Sequence, residues 1–292
     1  MTWVNCEVDD LSFHLKVDLG EVHGYLMYML GQIEPVVTFI IRRLFHSNRV
    51  MLDIGANVGY YSTLAAYACP NGQVWSFEPS PRTFGILREN IQANRLQNVV
   101  ARQLALGETH ATLKFNIYGD QALNSVSAGA EDRHPFFPEG LVQVLDVACT
   151  TIDIVMSENR IERADLMKLD IEGYEYFALK GAERLLARPD APILVCEIEP
   201  LWLKPFELSA SRVIKYVQSF GDCCFEAASY GLVERAEISD NAQPGDYIFA
   251  KSVDQINELR AIGQAYYKGF RQIKGQVKRA LLPAWHWVRS RK

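Results

Sequence analysis

The sequence predicts an α/β protein: a Rossmann-like, mainly parallel seven-stranded sheet with helices on both faces, plus an N-terminal cap and a C-terminal helical tail. Three observations predict it. Short apolar runs alternate with amphipathic stretches from residue 48 to 252, the pattern of strand–helix–strand crossovers. The first run ends in a glycine-containing loop, Asp53-Ile54-Gly55-Ala56-Asn57-Val58-Gly59, ahead of a helical segment. The composition, 49% hydrophobic and 22% charged over 292 residues, is that of a globular chain with a sizeable core.

Residues 1–47 read as a cap, with an apolar stretch Tyr25–Leu30 and a helical run Val36–Phe45. Val50–Ile54 is the first buried strand, followed by a helix over Tyr60–Tyr67. Gln73–Phe77 is the second strand, Pro81–Asn94 the next helix and Val99–Leu104 the third strand. The alternation then breaks. Thr112–Tyr118 reads as an added strand, and Ala128–Gly140, with Pro135, Phe136, Phe137 and Pro138, as a lid-like loop. It resumes with strand Leu166–Leu169, helix Tyr174–Leu186, strand Ile193–Ile198 and helix Ser209–Phe220. Cys224–Ala227 and Tyr247–Ala250 form the closing strand pair, and residues 253–292 the tail. Ligands of such sheets sit at the carboxyl ends of the strands.

The loop after the first strand is built for a nucleotide-like cofactor. Glycines allow a tight turn, and the following helix offers unpaired N–H groups. A dinucleotide site needs Gly-x-Gly-x-x-Gly, and Asn57 and Tyr60 stand where its second and third glycines belong. Asp53 stands at the strand end, with no Lys or Arg from there to Tyr67. A carboxylate without a cation suits a sulfonium cofactor bearing an ammonium group, S-adenosylmethionine, over a pyrophosphate. The second strand ends in Phe77-Glu78-Pro79, where an acid can accept both ribose hydroxyls. Glu78 can also be read as a helix N-terminal charge before Pro81.

LDIGANVGYYS, SFEPSP, NVVARQLALG and LMKLDIEGYEYFALKGAERLL followed by ILVCEIEP resemble the FkbM family of S-adenosylmethionine-dependent methyltransferases over about residues 33 to 200, from the lead-in Ile33-Glu34-Pro35 onward. The resemblance implies a class I methyltransferase fold and O-methylation of a sugar or natural-product hydroxyl. It places Asp53, Gly55, Asn57, Gly59 and Glu78 in the cofactor motifs, with the adjoining Tyr60 and Pro79, and puts Leu104 and Ala105 at the adenine pocket. The chain after Ser252 departs from the family's core pattern.

Methyl transfer to a hydroxyl needs an aligned acceptor and a base for its proton. Lys168, Asp170 and Glu172 alternate by two at the end of the fourth strand, and Glu197 and Glu199 end the fifth. Crowded carboxylates repel unless a cation intervenes. Lys168 is one candidate cation; a divalent metal such as Mg²⁺ at Asp170, Glu172 and Glu197 is the other, without a compact ligand motif to favour it. Asp170 is assigned to the cofactor amino group or to proton abstraction, Glu172 to the general base, and Glu197 to a substrate hydroxyl or the role of a second acid. The competing structural reading makes Glu172 a helix cap near Gly173 and Lys168–Glu197 a buried pair. Asn124 and Ser125 are candidate acceptor ligands or a turn, and His134 is a loop candidate for substrate binding. Asp153 reads as the cap of a helix starting near Ile152.

From Lys268 onward there are eight basic residues and no Asp or Glu, so the rest of the chain is more acidic than the net charge of −5 indicates. Ile262, Tyr266, Phe270, Ile273, Val277 and Leu281 share one helix face. Residues 262–292 therefore read as a peripheral membrane helix, or as a face packed on the body or in a dimer; the acidic remainder argues against nucleic acid. No apolar run is long enough to span a membrane. The six cysteines include no Cys-x-x-Cys pair, and a reducing, cytoplasmic setting is expected, with contact at the inner membrane face as a variant. The expected activity is O-methylation of a carbohydrate, glycolipid or natural product. The alternatives are an N- or carboxyl-methyltransferase on the same fold and a non-catalytic docking protein.

Overall fold

The computed structural model describes residues 1–119, 124–127, 141–235 and 242–269. The cap opens with a hairpin absent from the sequence reading: β1 (Thr2–Val8) pairs antiparallel with β2 (Leu11–Val17). Strict alternation buries Val4, Cys6, Val8, Phe13, Leu15 and Val17 on one face and leaves Asn5, Glu7, Ser12 and His14 outside. Helices α1 (Val22–Leu30) and α2 (Pro35–Leu44) follow; the first is closed by Gly31 at φ 69, the second begins with Pro35. The open edge of β2 is covered by side chains of the helix over 81–93. Asn90 Oδ1 accepts from the Lys16 amide at 2.7 Å, and Asn94 Oδ1 from the His14 amide at 3.1 Å.

The main fold runs β3 (Val50–Ile54), α3 (Tyr60–Ala68), β4 (Gln73–Phe77), α4 (Pro81–Ala93) and β5 (Val99–Arg102). Then come β6 (Ala105–Leu106), β7 (Ala111–Tyr118), β8 (Ser125–Val126) and β9 (Leu141–Thr150). The chain continues through α5 (Ile152–Glu158), β10 (Leu166–Leu169), α6 (Glu175–Lys180), α7 (Glu183–Ala187) and β11 (Ile193–Ile198). It ends with α8 (Pro200–Leu203), α9 (Ala210–Gln218), β12 (Cys223–Ala228), β13 (Gly231–Arg235), β14 (Gly245–Ala250) and a helix over 253–269.

Among the described residues the large sheet has eight strands where seven were expected, in the order β13-β12-β14-β11-β10-β3-β4-β5. Five are parallel; β14, β12 and β13 join by antiparallel ladders. The extra strand, β13, follows β12 across a tight turn, so it adds an edge without a crossover helix. Between β5 and α5 the chain builds a second sheet, β6-β9-β7-β8. The lid-like segment 128–140 lies outside the described residues, apart from the strands that flank it.

Two clusters pack the faces of the large sheet. Met51, Val74, Leu166, Ile193 and Val195 point toward the cap, α2 and α3. Leu52, Ile54, Phe77, Met167, Leu169 and Cys196 point toward α5, α6, α7 and α9. The helix expected over Tyr174–Leu186 is two, because the Gly181 carbonyl accepts the Asp153 amide at 2.9 Å and leaves the helical ladder. Asp153 does not cap its own helix. Thr151 caps α5, and the Asp153 carboxylate takes the Arg184 and Leu185 amides at the start of α7, at 2.9 and 3.0 Å. In the helix over 253–269, Leu259 and Ile262 are buried and Tyr266 meets Phe39 edge-on at 5.2 Å. That part of the tail packs on the body; residues 270–292 lie outside the described residues. Among the described residues no single helix is long and apolar enough to cross a membrane.

Candidate active site

The carboxyl ends of β3, β4 and β10 open into one cleft of about 1080 Å³, open solvent at its mouth included, walled on the far side by the cap. Its wall combines an apolar side, from Ile54, Leu104, Ala105 and Val126, with the acids Glu34, Glu78, Asp170 and Glu172.

The loop after β3 is held from two sides. The Gly55 and Ala56 amides both donate to the Phe77 carbonyl at 3.0 Å, which wraps the loop over the end of β4. Gly55, at φ 82, has no room for a side chain: a Cβ there would lie 1.8 Å from the Asp170 carbonyl oxygen. Its glycine therefore serves the packing of two strand-end loops against each other. Asn57 adopts φ 49, and its Oδ1 accepts the Val58 amide at 2.7 Å.

Glu78 is the anchored acid of the cleft. It is 6% exposed and lines the wall, its Oε2 accepting the Asn57 amide at 3.1 Å and its Oε1 the Ser80 amide at 2.9 Å. Burial, opposed by these two amides, pushes its carboxyl up to about 7. A carboxylate offers about four lone-pair sites, so two remain for hydroxyls in the cleft. Tyr60, Pro79, Leu104, Ala105 and Asn124 also line it. Asn124 Oδ1 accepts the Tyr118 amide at 2.9 Å, which orients its amide group. Ser125 is buried within β8 and is not in the wall; His134 lies outside the described residues.

Asp53 does not line the cleft. It is 1% exposed, its Oδ2 accepts the Ser62 hydroxyl at 2.5 Å, and that hydroxyl also meets Ser76 at 2.7 Å. The side chain is engaged by α3 through Ser62.

Strand parity decides the second motif. Lys168, Asp170 and Glu197 project on the cap side, and Lys168 stands in register with Asp53, Glu197 with Asp246. Lys168 is 3% exposed. Its Nζ donates to Asp170 Oδ2 at 2.5 Å and lies 4.7 Å over the Tyr61 ring. In place of the Lys168–Glu197 pair of the competing structural reading, the chain forms Lys168–Asp170. Burial works against the Lys168 charge, but Asp170, Glu34 and Asp53 outweigh it and hold the ammonium protonated. Burial likewise opposes an ionised Asp170, yet Lys168 and a hydrogen bond from Glu197 bring that carboxyl down to about 2. Glu197 is driven far up, first by the Asp170 charge and then by burial, so it carries the proton of the pair. Glu172 is driven up by burial and then by Asp170. One oxygen each of Asp170, Glu172 and Glu197 lies within 4.8 Å of the others.

Glu172 does not cap a helix. It sits at φ 52 in the cleft wall, and Glu175 does the structural work, its Oε1 accepting the Ile171 and Gly173 amides at 3.1 and 3.0 Å. Gly173, at φ 94, passes so near α8 that a Cβ would lie 2.3 Å from the Trp202 carbonyl oxygen. Glu199 caps α8 through the Leu201 amide at 3.0 Å.

Sequence reasoning missed the cap's contribution. Glu34 and His23 line the cleft; Glu34 Oε2 accepts the Tyr61 hydroxyl at 2.6 Å and its Oε1 lies 3.8 Å from His23 Nε2. Asp246 was missed as well: burial and then the Glu34 charge push it up to about 8. Only the lead-in Ile33-Glu34-Pro35 gave a signal, and it carried no hint of a side-chain direction.

The chain matches the methyltransferase FkbM domain over residues 53–223, more than half its length. Methyltransferase sdnD of Sordaria araneosa is 27% identical over 64% of this chain and 84% of its own. Hexuronic acid methyltransferase AglP of Haloferax volcanii is 27% identical over 47% of this chain and 51% of its own. The 31-O-demethyl-FK506 methyltransferase FkbM of Streptomyces tacrolimicus is 26% identical over 46% of this chain and 59% of its own. Among solved structures, an O-methyltransferase from Bacillus cereus in complex with SAH is 11% identical over 76% of this chain and 83% of that one, at a TM-score of 0.42. With the FkbM domain spanning β3 to the start of β12, and so all five parallel strands and the acids at their ends, this chain belongs to the FkbM family of methyltransferases.

Proposed function

We propose that the chain is an S-adenosylmethionine-dependent O-methyltransferase whose acceptor is a hydroxyl of a carbohydrate, glycolipid or natural product. The observation that carries this reading is the group of acids at the strand ends: Asp170 ionised on Lys168, with Glu172 beside it in the cleft wall and its carboxyl raised. A raised carboxyl is a stronger base once ionised, which is what a hydroxyl acceptor needs and an amine does not.

The residues fit the cofactor. Glu78 is buried, fixed by two backbone amides and open toward the cleft, as a ribose diol requires. Leu104 and Ala105 give an apolar wall for a purine. When bound, the cofactor supplies an electrophilic methyl group. The protein's part is to hold the acceptor in line, exclude water and take the proton at a Glu172 oxygen, with Asp170 and Lys168 fixing the local charge. Lys168 and the proton on Glu197 supply the positive charge that a divalent ion at Asp170, Glu172 and Glu197 would otherwise bring. The relative named for an O-demethyl compound supports a hydroxyl acceptor, and the one named for a hexuronic acid supports a sugar acid, which carries both hydroxyls and a carboxyl. The eight basic residues from Lys268 on would hold the enzyme at an anionic membrane carrying a lipid-linked acceptor.

The test is methyl transfer from labelled S-adenosylmethionine to a panel of sugars, glycolipids and polyketide alcohols, with and without EDTA. Glu172→Gln should lower kcat by roughly 10²–10⁴-fold while S-adenosylhomocysteine binding persists. Transfer confined to amines or carboxylates would overturn the acceptor class. Activity lost in EDTA and restored by Mg²⁺ would give the acids to a metal.

A further inference from the structure

We propose that Glu34 and His23 of the cap read the amino-acid end of the cofactor, Glu34 taking its ammonium and His23 its carboxylate; this rests on the S-adenosylmethionine reading above. Of the two acids that the sequence offers for the ammonium, Asp53 and Asp170, the first does not reach the cleft, being closed off under Ser62. Another wall residue must match a positively charged ligand end. Glu78, held by the Asn57 and Ser80 amides, is assigned to the ribose diol, and Asp170 is neutralised by Lys168 at 2.5 Å.

Glu34 differs from both. One oxygen accepts the Tyr61 hydroxyl; the other stands 3.8 Å from His23 Nε2, beyond hydrogen-bond distance, and both side chains face the cleft with about a quarter and a third of their surface open. A carboxylate and an imidazole side by side complement an ammonium and a carboxylate borne on the same carbon, one by accepting N–H groups and the other by donating one.

The backbone holds the pair deliberately. Glu34 adopts φ 40 and ψ 67 directly before Pro35, where the following ring favours extended conformations, so this geometry is maintained against its local preference. His23 is set by Gly24, whose missing side chain lets α1 start against the loop at Asp18: a Cβ would lie 2.0 Å from the Asp18 carbonyl oxygen. The Tyr61 ring then links Glu34 to Lys168, tying the cap to the acids at the strand ends. On this reading the cap is part of the cofactor site.

The test compares two ligands by calorimetry on the full chain. S-adenosylhomocysteine carries the amino-acid end; 5′-methylthioadenosine keeps the nucleoside and thioether without it. Glu34→Gln should weaken S-adenosylhomocysteine by about tenfold or more and leave 5′-methylthioadenosine within about twofold, and His23→Ala should do the same more mildly. Melting temperatures without ligand establish that the variants fold. Equal weakening of both ligands would make Glu34 a shaping residue and overturn the proposal, as would no change in either. A wild-type chain that binds neither ligand would overturn the cofactor reading itself.

Discussion

Replacing Lys168 with methionine removes the cation on which the acids at the strand ends depend. Lys168 is 3% exposed, bonded to Asp170 at 2.5 Å and in register with the buried Asp53. Asp170 sits at about 2 in the folded chain against an ordinary 3.8, a depression worth about 2 kcal/mol. Because the folded value is the lower one, that stability is present above pH ~4 and is lost as the pH falls toward 2. Without the ammonium the same carboxylate is buried and uncompensated, which costs about 3–5 kcal/mol. The balance then inverts: burial now raises Asp170, the penalty is full at high pH, and protonation relieves it as the pH falls. Urea melts of wild type and K168M at pH 8.5 and pH 5.5 measure this. The gap should be several kcal/mol at the higher pH and clearly smaller at the lower, and Asp170→Asn added to K168M should recover much of it. A gap below about 1 kcal/mol at pH 8.5, or one equal at both pH values, would refute an ionised pair at the centre of the site.

Glu78→Gln should weaken S-adenosylhomocysteine by about 10–100-fold, since a charged acceptor of two hydroxyls is lost. Its folded carboxyl at about 7, against 4.5, means that wild-type stability declines as pH climbs from about 4.5 through 7, and the variant should lack that part of the decline; thermal melts at pH 5 and 8 compare the two. Gly55→Ala should cost several kcal/mol, or yield no folded protein, because it meets both a φ of 82 and the Asp170 carbonyl; stability equal to wild type would mean that the two loops are not in contact.

Much of this molecule is local information. The strand–loop–helix units from Val50 to Ile198 are written as apolar runs followed by turns, and the acids Glu78, Asp170 and Glu172 are placed by standing at strand ends. Period-two spacing was enough to put Lys168 and Asp170 on one side of the sheet. The hairpin at the N-terminus does alternate apolar and polar residues and was still missed; an isolated hairpin is marginal, and this one is held by packing its apolar face into the core and by docking its edge on Asn90 and Asn94.

Partner choice among the charged groups lay beyond the sequence. Lys168 had Asp170 and Glu197 within plausible reach, and the folded chain gives it to Asp170, two residues on at the end of its own strand, while Glu197 bonds to Asp170 as well. Glu172 and Glu175 are three residues apart in one motif, yet the loop turns Glu175 into the bond to Ile171 and Gly173 and leaves Glu172 in the cleft. Asp53, read as a ligand for the cofactor, is covered by α3, while Glu34, read only as part of the lead-in Ile33-Glu34-Pro35, is brought to the cleft by the cap. A sequence states which side chains stand at the end of a strand, because backbone periodicity is local. Which of them face a common space is set by how separate elements pack, and that is settled only when the cap, the sheet and its loops close on one another.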